Sequence, residues 1–236
     1  MKRVFMRAMW GVYDPSNRIT KRKSRVDANV KMVLENEFNE PFITYVFGEE
    51  NFDELQALGL ENCILIDKNP TPFDPILYQY RHKLEAIRYG FEQDGYDEMI
   101  HLDWDCYPQK KLSSDFWETL GKKEKFQANL LMYHRRRACW RGKTDCRKIP
   151  NGGFVYMRGQ DPIDGIIEAW DKEKDKSVEP AMARYTDDLS GGWESKEKYW
   201  DLFEPEVVNL CRASPYDKEL LNAKDINFIH YQGGRS

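Results

Sequence analysis

The chain has 236 residues, 41% apolar and 14% aromatic, with 36 Lys and Arg against 40 Asp and Glu, a formal net charge of −4. Apolar and aromatic residues run along the whole length, which excludes disordered, collagen-like and low-complexity classes and leaves a folded protein with a sizeable core. No stretch approaches the roughly 18–20 uninterrupted apolar residues of a membrane span, and Arg7 falls where the apolar run of a signal peptide would lie. Five cysteines without a C-x-x-C pair read as reduced thiols. The expectation is a cytoplasmic protein with no membrane partner.

In chain order, residues 3–12 read as a strand and 26–38 as a helix, with Val26, Val30, Val33, Leu34 and Phe38 on one face. A strand at 42–47, a short helix near 51–58 and a strand at 62–66 follow, then a turn-rich stretch with Pro70, Pro72 and Pro75. The spacing of Leu77, Tyr80, Leu84, Ile87 and Phe91 predicts a helix over 76–93, leading into a strand at 98–103, a helix at 113–120 and a strand at 126–133. Beyond 148 come a strand at 153–158, helices at 162–174 and 180–203, and short strands at 206–210 and 226–230. With no repeat and no long linker, this alternation predicts one α/β domain over residues 1–236: a single, mostly parallel central sheet with helices on both faces. In such sheets ligands bind beyond the carboxyl ends of the strands.

Charge is uneven along this frame. Residues 1–26 hold eight Lys and Arg and one acid, Asp14, and residues 135–148 hold Arg135, Arg136, Arg137, Arg141, Lys143, Arg147 and Lys148 against Asp145. Two basic clusters on an acidic body fit local sites for a polyanion or phosphates; solvated loops are the plainer alternative.

Three constellations could carry chemistry. The strand at 98–103 delivers Asp103-Trp104-Asp105, the one strict D-x-D in the chain. In an extended segment its two carboxylates project to the same side, where oxygen ligands suit Mg²⁺ or Mn²⁺; two carboxylates at a strand end can also simply sit in water. His230 closes the last predicted strand and would make the shell softer, as Mn²⁺ favours; a strand-end His also serves as a hydrogen-bonded structural residue. Finally, Gly152 and Gly153, after Asn151, would let a ligand approach the backbone at the start of strand 153–158, or form an ordinary tight turn.

In this order the residues resemble the GT-A glycosyltransferases, in particular the retaining glycogenin-like and galactinol-synthase-like enzymes. The resemblance runs through Trp10-Gly11-Val12-Tyr13, Lys83 on helix 76–93, Ile100-His-Leu-Asp-Trp-Asp105, Asn151-Gly152-Gly153, Asp187-Asp188 and His230-Tyr-Gln-Gly233. Gly152 stands where that family has Ser, and the Lys-Pro-Trp that follows the family's His-x-x-Gly is absent.

The resemblance implies transfer of a sugar from a nucleoside diphosphate donor, a UDP-sugar above all. Asp103, Asp105 and His230 would hold Mn²⁺ or Mg²⁺ against the diphosphate, with Asp103 also near the ribose. Gly11 and Tyr13 would line the base pocket, and Lys83 and Arg235 would offer charge to the phosphates. Asn151 and Asp188 would contact the transferred sugar or acceptor, and in an inverting enzyme Asp187 or Asp188 would be the general base.

The basic segment falls where this fold usually shapes its acceptor side. Arg135, Arg136, Arg137 and Trp140, with Gly152 and Gly153, suit a phosphate-bearing acceptor such as DNA, as in phage enzymes that glycosylate modified bases; a protein or carbohydrate acceptor competes. A sugar-nucleotide pyrophosphorylase and a non-enzymatic nucleic-acid-binding module are the alternatives from other classes. The first would show a glycine-rich loop after its first strand, which Gly11-Val-Tyr-Asp-Pro-Ser-Asn-Arg18 is not. The second would leave the D-x-D without a role.

Overall fold

A computed structural model describes residues 1–10, 30, 33–34, 38, 40–67, 81–103, 106–108, 115–120, 125–132, 148–172, 178–190, 209–211 and 228–230. Its strands are β1 (Arg3–Met9), β2 (Phe42–Phe47), β3 (Cys63–Asp67), β4 (Glu98–Leu102), β5 (Cys106–Pro108), β6 (Phe126–Met132), β7 (Lys148–Arg158), β8 (Asn209–Cys211) and β9 (Phe228–His230). The helices are α1 (Glu49–Ala57), α2 (Arg81–Glu92), α3 (Phe116–Leu120), α4 (Asp161–Asp171) and α5 (Val178–Ser190). Most of the predicted helix 26–38 lies outside the described residues, although Val30, Val33 and Leu34 are helical. The same holds for the predicted helix beyond Ser190.

Six strands form the central sheet in the order β3-β2-β1-β4-β7-β6. The first four run parallel, whereas β7 is antiparallel to β4 and β6 to β7. Alternation along each strand sends side chains to two cores, as a sheet buried on both faces requires. Val4, Met6, Ala8, Met99, Val155 and Met157 pack under Leu84 and Ile87 of α2, Ile163, Ile166 and Trp170 of α4, and Ala181 and Met182 of α5. On the opposite face Phe5, Ile100, Leu102, Phe154 and Tyr156 pack against Phe116, Trp117 and Leu120 of α3 and Phe228 of β9. Helices thus cover both faces of a mostly parallel sheet.

Gly90 shows how closely α2 lies on the sheet. A Cβ there would stand 2.4 Å from Met99 Cε and 2.9 Å from the Tyr45 hydroxyl. This seat near the end of α2, beside the start of β4, leaves the first turn of α2 at the carboxyl edge of the sheet, where Trp10 stacks on His82 with ring centroids 5.9 Å apart.

Two features depart from the sequence expectation. The strand expected at 153–158 begins at Lys148, so Asn151-Gly152-Gly153 lies within β7 and does not form a turn before it. Pairing with β6 jumps from Ala128↔Val155 to Asn129↔Asn151, leaving Gly152, Gly153 and Phe154 outside that ladder as a bulge. In addition, β5, β9 and β8 form a separate small sheet, in which β5 is antiparallel and β8 parallel to β9.

Candidate active site

The bulge, the end of β4 and the start of α2 meet at one point. Beyond Leu102, which pairs with Phe154, the Asp103 N–H donates to the Gly153 carbonyl at 2.8 Å. The β4·β7 connection is thereby carried one residue past the strand, and Asp103 is placed at the edge of the sheet. Below it, the ammonium of Lys83 pairs with the Asp103 carboxylate and donates to the Gly152 carbonyl at 3.2 Å. Lys83 reaches both because Gly152 has no side chain: a Cβ there would lie 3.2 Å from Lys83 Nζ, 3.4 Å from Glu179 Oε1 and 3.7 Å from Val178 Cγ1. A serine at this position would crowd that ion pair.

His101 completes the underside. It is buried, and its Nε2 stands 3.9 Å from Asp103 Oδ1. Burial first, then the Lys83 charge and that of Arg7, push the imidazole down to about 3 against the opposing pull of Asp103. The contact is therefore that of a neutral ring with a carboxylate and not a salt bridge. Among the described residues, Lys83 is a cation paired with Asp103.

After Asp103 the chain turns, with the Cys106 N–H donating to the Asp103 carbonyl at 3.0 Å, and β5 begins at Cys106. In the antiparallel ladder of β5 with β9, Cys106 stands opposite His230. The backbone of the late histidine is thus one register position beyond the D-x-D, although about half the chain separates them in sequence. Among the described residues no group of three or more His, Cys, Asp or Glu is placed to hold a metal ion. Asp105 lies outside them, and His230 is described by its backbone alone.

The structure brings together Lys83, Asp103, Gly152 and Gly153, with Asn151 adjacent on β7 and His230 on β9. Asp187 and Asp188 lie in the last turns of α5, where the structure describes the helix backbone alone. Near the start of α5, Val178 and Glu179 lie beside Gly152, whereas Tyr185 packs against Gly165 and Phe126. Phe126 opens β6 opposite Met157, toward the other end of the sheet. At 1.5 Å per residue, Asp187 is about 12 Å along the helix from Glu179, past Tyr185. Among the described side chains of α5, Glu179 is the acid beside Gly152. Gly11, Tyr13, Asp105, Arg135, Arg136, Arg137, Trp140 and Arg235 lie outside the described residues.

Sequence reasoning missed Arg7, His101 and Glu179. A charge or imidazole inside the apolar strands RVFMRAM and EMIHL was the available signal for the first two. Glu179 has no local signal, because its place depends on where α5 docks.

No protein-family model and no curated protein sequence matches the chain. Solved structures do. The bifunctional glycosyltransferase WbbM superposes on 100% of this chain and 46% of its own with a TM-score of 0.58 at 10% identity. The apo form of the glycosyltransferase GlyE of Streptococcus pneumoniae aligns over 98% of this chain and 54% of its own, with a TM-score of 0.53 at 15% identity. Mouse xyloside xylosyltransferase 1 aligns over 98% of this chain and 97% of its own, with a TM-score of 0.51 at 12% identity. The chain spans about half the length of the first two and nearly all of the third. These likenesses show that the fold is that of the GT-A glycosyltransferases. No helix among the described residues is long and apolar enough to cross a membrane.

Proposed function

We propose that the protein is a glycosyltransferase that moves a sugar from a nucleoside diphosphate donor, a UDP-sugar, to an acceptor hydroxyl. The observation that carries this reading is the junction of β4, β5, β7 and β9 within a GT-A fold: Asp103 sits at the sheet edge on the Lys83 ammonium, and His230 stands opposite Cys106. A carboxylate at the sheet edge, a second two residues on and an imidazole on the neighbouring strand are a donor set that suits Mn²⁺ or Mg²⁺ beside phosphate oxygens. Asp103, Asp105 and His230 would hold the ion, which when bound supplies charge neutralisation for the departing diphosphate.

The chain's own groups do the remaining work. Lys83 orients the Asp103 carboxylate from beneath, so the site is organised before the donor arrives. Gly11 and Tyr13 follow the end of β1 in sequence and serve the base, while Arg235, five residues after His230, serves the diphosphate. Asn151 and Glu179 flank the Gly152 backbone and, with Asp188, serve the transferred sugar or acceptor; in an inverting enzyme Asp187 or Asp188 is the general base.

For the acceptor we infer a phosphate-bearing molecule, DNA being the polyanion that Arg135, Arg136, Arg137 and Trp140 would suit. Reversing the three arginines should then weaken DNA binding and flatten its dependence on salt while sparing donor hydrolysis.

Mass spectrometry of nucleotide sugars incubated with the protein and Mn²⁺ tests the activity itself. Slow hydrolysis of a UDP-sugar is expected. Dependence on a nucleoside triphosphate would point instead to a pyrophosphorylase, and no turnover of any donor to a binding module.

A further inference from the structure

Arg7 lies in the central strand β1 with its side chain wholly buried, on the face it shares with Phe5 and Met9. Removing a guanidinium from water is costly, and an apolar residue of similar volume would fill that layer without the cost. The charge is therefore doing something that packing does not require. Its Nη2 donates to the Cys106 carbonyl at 3.0 Å, across 99 residues of sequence, and the guanidinium lies 5.2 Å from the centre of the Phe42 ring.

Cys106 is the first residue after Asp105. Its own N–H is engaged by the Asp103 carbonyl, and the Asp103 N–H by Gly153. The D-x-D is thus anchored on both sides: β7 holds the Asp103 end, and β1, through Arg7, holds the Cys106 end. Because Cys106 stands opposite His230, the same hydrogen bond steadies the small sheet that carries the late histidine.

We propose that Arg7 is a positioning residue for the donor site: its hydrogen bond to the Cys106 carbonyl fixes the chain that follows Asp103 and Asp105, and with it the strand bearing His230. The inference rests on the donor-site reading above. Arg7 acts on the D-x-D through the Cys106 backbone and is not a group that touches substrate.

Three measurements on wild type, Arg7→Met and Arg7→Lys test it: Mn²⁺-dependent UDP affinity by calorimetry, thermal unfolding, and amide hydrogen exchange without metal. Methionine fills the apolar layer but cannot donate. Arg7→Met should keep a cooperative transition near the wild-type Tm, speed exchange selectively at 106–107 and 228–230, and weaken UDP binding at least tenfold. Arg7→Lys, which keeps a donor, should recover part of that affinity. Unchanged affinity in Arg7→Met would overturn the proposal. So would a loss of affinity that only tracks a general loss of stability and that lysine does not relieve. Absence of Mn²⁺-dependent UDP binding in the wild type would overturn the donor-site reading and this role with it, whereas wild-type binding that survives Arg7→Met removes the role of Arg7 alone.

Discussion

Replacing Asp103 by Asn should destabilise the metal-free protein more than replacing Lys83 by Met, although Asp103 is the more exposed member of the pair. Their side chains are 25% and 5% exposed, respectively. Asp103→Asn takes a carboxylate from an ammonium that is sealed from water, and removing one partner of a buried pair costs on the order of 3 kcal/mol. Lys83→Met keeps the aliphatic stem and gives up the ion pair and the bond to the Gly152 carbonyl, but it also removes the cost of burying the charge. The carboxylate left behind is a quarter exposed and can take water, so the net change should stay within about 1 kcal/mol. Urea unfolding at pH 7.5 measures both, and the double variant should recover part of the Asp103→Asn loss. Equal losses in the two single variants, or a larger loss in Lys83→Met, would mean that the buried ammonium does not depend on Asp103 for its charge partner.

Two further predictions concern the framework around the site. Tyr156→Phe removes the 2.7 Å hydrogen bond from the phenol to the buried Glu98 carboxylate, so it should cost about 1.5–3 kcal/mol in chemical unfolding while leaving UDP binding unchanged. His101, held down to about 3 against an ordinary 6.5, stays neutral when folded while the unfolded chain takes up a proton. Stability should therefore fall as pH drops below 6.5, by about 1 kcal/mol between pH 6.5 and 5.5. His101→Gln should lessen that slope by about 1 kcal/mol over this range; a slope unchanged in the variant would contradict the assignment.

The parallel half of the sheet was legible because its signals are local. Residues 42–47 and 98–102 are short apolar runs bounded by turn residues, and the edge at which they end is where the D-x-D falls. What escaped was set by distant partners. Pro150, Gly152 and Gly153 carry turn propensity, yet pairing of Leu130 with Pro150 and Asn129 with Asn151 draws them into β7. The small sheet uses three-residue strands, too short to show a period, and joins residues over a hundred positions apart. Lys83 was read for the phosphates, and its contacts with Asp103 and Gly152 depend on a bulge that no spacing reveals. Asp187-Asp188 was conspicuous as an acidic pair, whereas the place of Glu179 beside Gly152 depends on how α5 docks. Arg7 was read as a charge that excludes a signal peptide, while its structural weight comes from Cys106.

The central claim is that Asp103, Asp105 and His230 form a donor site that is complete only when a cation and a diphosphate occupy it together. Calorimetric titration of UDP with and without Mn²⁺, on wild type and Asp105→Ala, tests it most directly. UDP binding should require Mn²⁺ in the wild type and be lost in Asp105→Ala while the variant unfolds at the wild-type Tm. Metal-dependent UDP binding that persists unchanged in Asp105→Ala would contradict it.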